Sequence, residues 1–236
     1  MSAPLTEPGA VAVVLPAYRA ARTIADVIAR ARRASPGATV LVVDDGSDDD
    51  TAARALSAGA AVASHERNEG KGRSLRTGLE AALALEGMRY TVTLDADGQH
   101  PPEEIPGLAA PVLAGAADLA LGARARSGAM PWGRRCTNWL SAALASRIGG
   151  VAVPDAQSGF RALSRDVAQA VRPGEQGYDF ETAFLLTALA RGFRVGFVPV
   201  STLYEGRPSH FRHWADTWRQ ARVFTRYGRA IIFGAP

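Results

Sequence analysis

The sequence predicts an α/β fold in which a mostly parallel, doubly wound sheet carries helices on both faces. Three observations predict it. Short runs rich in valine, leucine and alanine recur along the first half of the chain. Segments with helical periodicity separate them. The runs are apolar throughout rather than alternating, as strands covered on both faces must be.

Val11-Ala12-Val13-Val14-Leu15 is the first predicted strand, ended by Pro16. A helix from about Thr23 to Ala34 follows, with a stop at Pro36-Gly37. Val40 to Val43 is the second strand. Ser47 and the acids Asp48, Asp49 and Asp50 suit the next helix start, where carboxylates meet free backbone N–H groups. Ala60 to Ala63 is the third strand, and a long helix runs from about Gly72 to Leu85. Tyr90 to Leu94 is the fourth strand and Asp118 to Leu121 the fifth. In open parallel sheets ligands bind beyond the carboxyl ends of the strands. Pro16-Ala17-Tyr18 follows the first of these strands and acids, arginines or glycines follow the other four, so these residues are expected to converge on one edge.

The chain has 236 residues, 47% of them apolar and 21% charged, as in ordinary globular proteins. The formal net charge is +4, and lysine is nearly absent beside arginine. That bias reads either as genome composition or as attraction to phosphate in a nucleotide, phospholipid or nucleic acid. Cys136 is the only cysteine, which excludes an internal disulfide and a thiolate metal cluster. His65, His100, His210 and His213 lack zinc-site spacing. No secretory signal pattern appears, and no apolar run approaches the roughly 20 residues that span a bilayer. The expected location is the cytoplasm, with peripheral contact on the cytoplasmic membrane face.

Asp95-Ala-Asp97-Gly-Gln99-His100 follows the fourth strand. Two carboxylates this close repel and favour a cation nearby. Oxygen ligands from Asp97 and Gln99 suit Mg2+ or Mn2+, with room for a phosphate. Gly70-Lys71-Gly72 reads as a phosphate-binding helix start or as a plain one; it is not a Walker A loop, because Gly72 replaces the Ser/Thr. Asp44-Asp45-Gly46-Ser47 reads as a nucleobase or ribose contact or as a solvated turn, and its Gly46 is misplaced for an EF-hand.

In order, these segments resemble the family 2 glycosyltransferases of GT-A, Rossmann-like fold. Leu15-Pro16-Ala17-Tyr18, Val43-Asp44-Asp45-Gly46-Ser47 with Asp50-Thr51, and Asn68-Glu69-Gly70-Lys71-Gly72 resemble three family segments. Asp95 to Glu103 is similar to the version in polyprenyl-phosphate sugar synthases, the group that includes dolichyl-phosphate mannose synthase. Asp155-Ala-Gln-Ser158-Gly159-Phe-Arg161 and Gly177-Tyr-Asp179-Phe-Glu181 complete the series. The match spans roughly the first two hundred residues.

The resemblance implies an inverting, metal-dependent transfer of a hexose from a nucleotide-sugar of GDP-mannose or UDP-glucose type to a polyprenyl phosphate, with no nucleic-acid partner. It implies that Pro16, Ala17, Tyr18, Asp44, Gly70, Lys71, Asp95 and Ala96 bind the donor. Asp97 and Gln99 would hold the metal, and Ser158, Gly159 and Arg161 would shape the sugar and acceptor region. Asp97, Glu181 and Arg124 are the catalytic candidates. The alternative is a sugar or other hydroxyl acceptor, with Glu181 as base. Glu181 reads equally as part of a helix N-terminal pair, and Asp179 reads as the other member of that pair.

Arg134 and Arg135, beside Trp132 and a helical run through Leu144, are candidates for a lipid phosphate. Residues 1–205 are expected to form the GT-A domain and 206–236 a lid and amphipathic helix. On that helix Phe211, Trp214, Trp218 and Phe224 share a side beside an arginine stripe, which suits a bilayer surface, the domain itself or a second copy.

Overall fold

The computed structural model describes residues 10–124, 132–174 and 180–201. Seven strands form one sheet in the order β3-β2-β1-β4-β6-β5-β7. They are β1 (Val11–Ala17), β2 (Thr39–Asp44), β3 (Ala61–Ser64), β4 (Tyr90–Thr93), β5 (Leu119–Arg124), β6 (Arg161–Ser164) and β7 (Val195–Val200). All five predicted strands are present. β1 continues through Pro16, whose ring is no obstacle where Ala17 and Asp44 end their ladder together.

The helices are α1 (Ile24–Ala34), α2 (Thr51–Ser57), α3 (Lys71–Leu83), α4 (Ile105–Leu113), α5 (Trp132–Gly149), α6 (Arg165–Ala170) and α7 (Phe180–Ala190). On α1 the buried residues Ile24, Val27, Ile28 and Ala31 recur at helical spacing and form one apolar stripe against the sheet. α7 is apolar on nearly every side, and Phe180, Ala183, Phe184, Leu185 and Leu186 are all buried. Such a helix belongs inside a core, and its neighbours there include α3, β5 and β6 residues.

Two strands and two helices, α4 and α6, lie outside the sequence expectation, which covers only the start of α7, as one of two readings of Glu181. β7 contains Gly196 and Pro199, which argue against a central strand. It pairs only with β5, at the sheet edge, where proline is tolerated. α4 carries a proline near its start and Pro111 within it, and α6 has only six residues. α7 carries no polar stripe to mark it as amphipathic.

β6 decides the shape of the site. It runs antiparallel to both β4 and β5, whereas the other pairs are parallel. Its first residue, Arg161, therefore sits at the edge where the other strands end. The loop before β6, the loops after β1 to β4 and the end of β5 thus meet at one rim. The expected 206–236 extension lies outside the described residues, as does Asp179. Among the described residues no helix is long and apolar enough to cross a membrane.

Candidate active site

The rim is built from two halves. In the first half, side-chain oxygens accept backbone N–H groups from neighbouring loops. Asp45 is buried at the end of β2 and accepts the amides of Glu69 (3.0 Å) and Gly70 (2.8 Å). Its Oδ1 also lies 2.7 Å from Nδ1 of His65, so that nitrogen carries the proton. The other His65 nitrogen is 3.0 Å from the Thr77 hydroxyl. Gly46 (φ +67°) turns the chain tightly here; a Cβ would stand 2.4 Å from the Arg67 carbonyl carbon. Thr51 and Ser47 accept the amides of Ala20 and Arg19, holding the turn after β1. Asp44 is buried, and its carboxylate accepts the Ser47 amide at 3.3 Å. Pro16 and Ala17 line the same edge, while Tyr18 is exposed, with the Arg19 guanidinium 5.2 Å from its ring centre.

The second half centres on the loop 155–160. Arg124, at the end of β5, forms a two-pronged bond to the buried Asp155 (2.6 and 3.1 Å). Thr93 of β4 donates its hydroxyl to the Gly159 carbonyl at 2.7 Å. Gln157 reaches Ser141 on α5. Arg161 is fully enclosed and donates to the carbonyls of Ser158 (2.7 Å) and Glu181 (2.8 Å). Ser158 is buried beside it.

Lys71 joins the two halves. Its Nζ lies 2.7 Å from Asp95 Oδ1 and 2.7 Å from Glu181 Oε1. The three charged groups are well shielded from solvent, with side-chain exposures of 18% (Lys71), 26% (Asp95) and 3% (Glu181). Gly159 makes room for them, since a Cβ there would stand 2.9 Å from Nζ and 3.0 Å from each Asp95 oxygen. Burial opposes both charges, but the pairing prevails: the Lys71 ammonium is raised above its ordinary value and the Asp95 carboxyl is lowered below its own.

Asp97 stands on the exposed side of this seam. Its Oδ1 accepts the Gln99 amide at 2.9 Å, which fixes the turn carrying both residues. Desolvation and then the negative charge of Asp95 push the Asp97 carboxyl above its ordinary value. A recess that resists a second negative charge is one that welcomes a cation. The donor set there is oxygen only, which fits a hard divalent ion. Among the described residues no group of three or more His, Cys, Asp or Glu could hold a metal by itself. Asp97 and Gln99 could supply part of such an ion's oxygen shell, with water and phosphate left to supply the rest. Ala96 between the carboxylates is buried, and its carbonyl accepts the Thr23 hydroxyl at 2.7 Å. His100 is packed against Phe160 with ring centres 5.4 Å apart, and burial lowers its pKa.

Most sequence-predicted residues meet at this rim. Two do so in unexpected company: the Gly70 amide is bound to Asp45, and Arg124 is bound to Asp155. Arg134 and Arg135 lie in the first turns of α5, and their side chains fall outside the described set. Sequence reasoning missed the roles of Asp45, Thr93 and Asp155. Asp45 and Asp155 each stood inside a quoted motif, so their position was legible and their partners were not.

Residues 12–172 match the profile named Glycosyl transferase family 2. The chain is 32% identical over 203 residues to the polyprenol monophosphomannose synthase of Mycolicibacterium smegmatis, covering 80% of this chain and 76% of that one. It is 27% identical over 215 residues to a UDP-N-acetylglucosamine–dolichyl-phosphate N-acetylglucosaminyltransferase of Methanococcus voltae, covering 81% and 85%. In structure it is similar to glucosyl-3-phosphoglycerate synthase of Mycobacterium tuberculosis in complex with Mn2+, UDP-glucose and phosphoglyceric acid. That similarity has a TM-score of 0.74 at 27% identity and covers 92% of this chain and 79% of the other. With a matching profile over most of its length, a GT-A-like sheet and an acidic rim at the strand ends, the chain belongs to glycosyltransferase family 2.

Proposed function

We propose that this enzyme moves a hexose, with inversion, from a nucleotide-sugar to a polyprenyl phosphate at the membrane surface. Asp44 and the β1 end, Pro16 to Tyr18, would face the base and ribose. Gly70, Lys71, Asp95 and Ala96 would border the diphosphate and sugar, and Asp97 and Gln99 would hold Mg2+ or Mn2+. The ion supplies Lewis acidity, offsetting charge on the departing diphosphate. Loop 155–160, with Ser158 and Gly159, would border the acceptor, with Arg134 and Arg135 on α5 available to its phosphate. An acceptor phosphate oxygen forms the new bond to the anomeric carbon. The old bond to the diphosphate breaks, and its electron pair leaves with that group.

One observation carries the choice of acceptor. Glu181 is buried and its carboxylate is held 2.7 Å from an ammonium, which suits an electrostatic anchor better than a proton acceptor. A phosphate acceptor is already ionised and needs no base. The named activities of the M. smegmatis and M. voltae relatives support the same choice.

The test offers Mn2+ with GDP-mannose or UDP-glucose, and detergent-solubilised polyprenyl phosphate against free sugars. Asp97→Ala should remove metal-dependent donor binding while leaving the chain folded, with at most a small drop in melting temperature from the lost Gln99 amide contact. Glu181→Gln should keep transfer to lipid phosphate within about tenfold of wild type. A base role would cost on the order of 10²–10⁴-fold, so a loss of that size defeats the reading. The second reading, transfer to a hydroxyl with Glu181 as base, draws on the likeness to a synthase crystallised with phosphoglyceric acid. Phosphoglyceric acid therefore belongs among the acceptors tried.

A further inference from the structure

Arg161 is a guanidinium in an expensive place. It is 3% exposed, and burial lowers its pKa to about 10, which still leaves it charged near neutrality. It also sits at the first turn of α7, where the helix dipole disfavours a cation. No carboxylate lies within ion-pair distance of it among the described residues. Its three short contacts are all backbone carbonyls: Ser158 at 2.7 Å, Glu181 at 2.8 Å and Ala156 at 3.5 Å. The Phe184 ring, centred 5.7 Å away, packs beside it. The charges of Glu181, Asp155 and Asp95 favour its protonated form from farther off.

These contacts divide between two separate segments. Ala156 and Ser158 belong to the loop before β6, and Glu181 opens α7. A planar fork can hold two segments in one fixed relation; a lysine ammonium at the end of a flexible stem cannot. Thr93, the cross-strand partner of Arg161, grips the same loop through the Gly159 carbonyl. Gly159 in turn borders the Lys71–Asp95 contact.

We infer that Arg161 is a positioning residue that sets the acceptor-side loop 155–160 in register with Glu181, and that its guanidinium does not touch substrate. This refines the sequence expectation that Arg161 borders the acceptor, and it rests on the reading of the rim as a glycosyl-transfer site. On that reading the loop borders the acceptor, and the α7 turn holds Glu181 against Lys71 beside the donor's diphosphate and sugar. A shift between them should therefore reduce turnover far more than nucleotide binding, since on that reading the donor's nucleoside end lies against Asp44 and the β1 end, away from loop 155–160.

The experiment uses the full chain as wild type, Arg161→Lys, Arg161→Met and Thr93→Val. Folded Arg161→Lys should bind Mn2+ with UDP or GDP within about threefold of wild type, by calorimetry. Its kcat should fall on the order of 100-fold with the donor KM little changed, the scale expected for a small misplacement of reacting groups. Thr93→Val is nearly isosteric and should repeat that split to a smaller degree, so the idea stays testable if Arg161→Met does not fold. A kcat within threefold of wild type in both folded variants overturns the inference. So does a parallel loss of nucleotide affinity and kcat, which marks a merely structural role. Amide hydrogen exchange separates this outcome from the functional reading. If wild type transfers no sugar but residues 156–160 and 180–184 loosen together in Arg161→Lys, the proposed function fails and the coupling stands. If only one of the two segments loosens, the coupling fails.

Discussion

The two halves of the rim are fixed by side chains of opposite character. On the β1–β3 side, Asp45, Asp49, Ser47 and Thr51 offer oxygens to backbone N–H groups. On the β4–β7 side, Arg161 and Thr93 offer donors to backbone carbonyls, and Arg124 to the Asp155 carboxylate. The difference follows from strand direction. Loops leaving parallel strands run toward helix N-termini, where free N–H groups accumulate. The loop entering antiparallel β6 leads to no helix, and its free groups include carbonyls. The first half thus presents an acidic, oxygen-rich face suited to amides and ribose. The second presents the cations suited to carbonyls and phosphate.

Lys71 is the seam between them, and removing it should have the largest effect. Lys71→Met leaves Asp95 and Glu181 shielded and unpaired, at a cost of about 3–5 kcal/mol. Urea unfolding with an unchanged slope would measure it. Of the 27 basic side chains in the chain, Lys71 is the only lysine. Lys71→Arg should not restore stability, because the close approach of Gly159 suits a compact ammonium better than a planar fork. Full stability in that variant would show that charge alone matters at the seam.

Next comes Asp45→Ala, which breaks the amide-accepting half. Two buried amide contacts and the His65 partner go together, so a loss of about 2 kcal/mol is expected. Amide exchange at residues 65–70 should quicken while 155–160 stays protected. Equal loosening of both loops would mean the halves are not independent.

The smallest effect tests the surface pair Arg30–Glu103, which ties α1 to the turn after the acidic loop. Arg30 holds the Glu103 pKa down to about 2, against an ordinary 4.5. A lowered folded-state pKa stabilises the fold fully above 4.5, and that contribution fades as pH falls toward 2. Glu103 is 55% exposed, so solvent screening limits the Glu103→Gln cost to under about 1 kcal/mol near neutrality. The difference between the two urea midpoints should shrink steadily on acidification.

The sequence by itself determined the five leading strands, the helices α1 and α3, and the identity of the acids at the strand ends. Apolar runs and helical spacing are local signals of burial, and they read correctly from Val11 to Thr93. It also determined the family, because ordered motifs survive as a linear pattern. Only the tertiary structure decided that β6 runs backwards and that β7 forms the edge. It alone decided that Lys71 meets Glu181, that Arg124 grips Asp155, and that Arg161 is buried against the carbonyls of Ser158 and Glu181. The reason is physical. A charged side chain advertises its sign in the sequence, but its partner is chosen by strand order and direction, which depend on contacts between residues far apart in the chain.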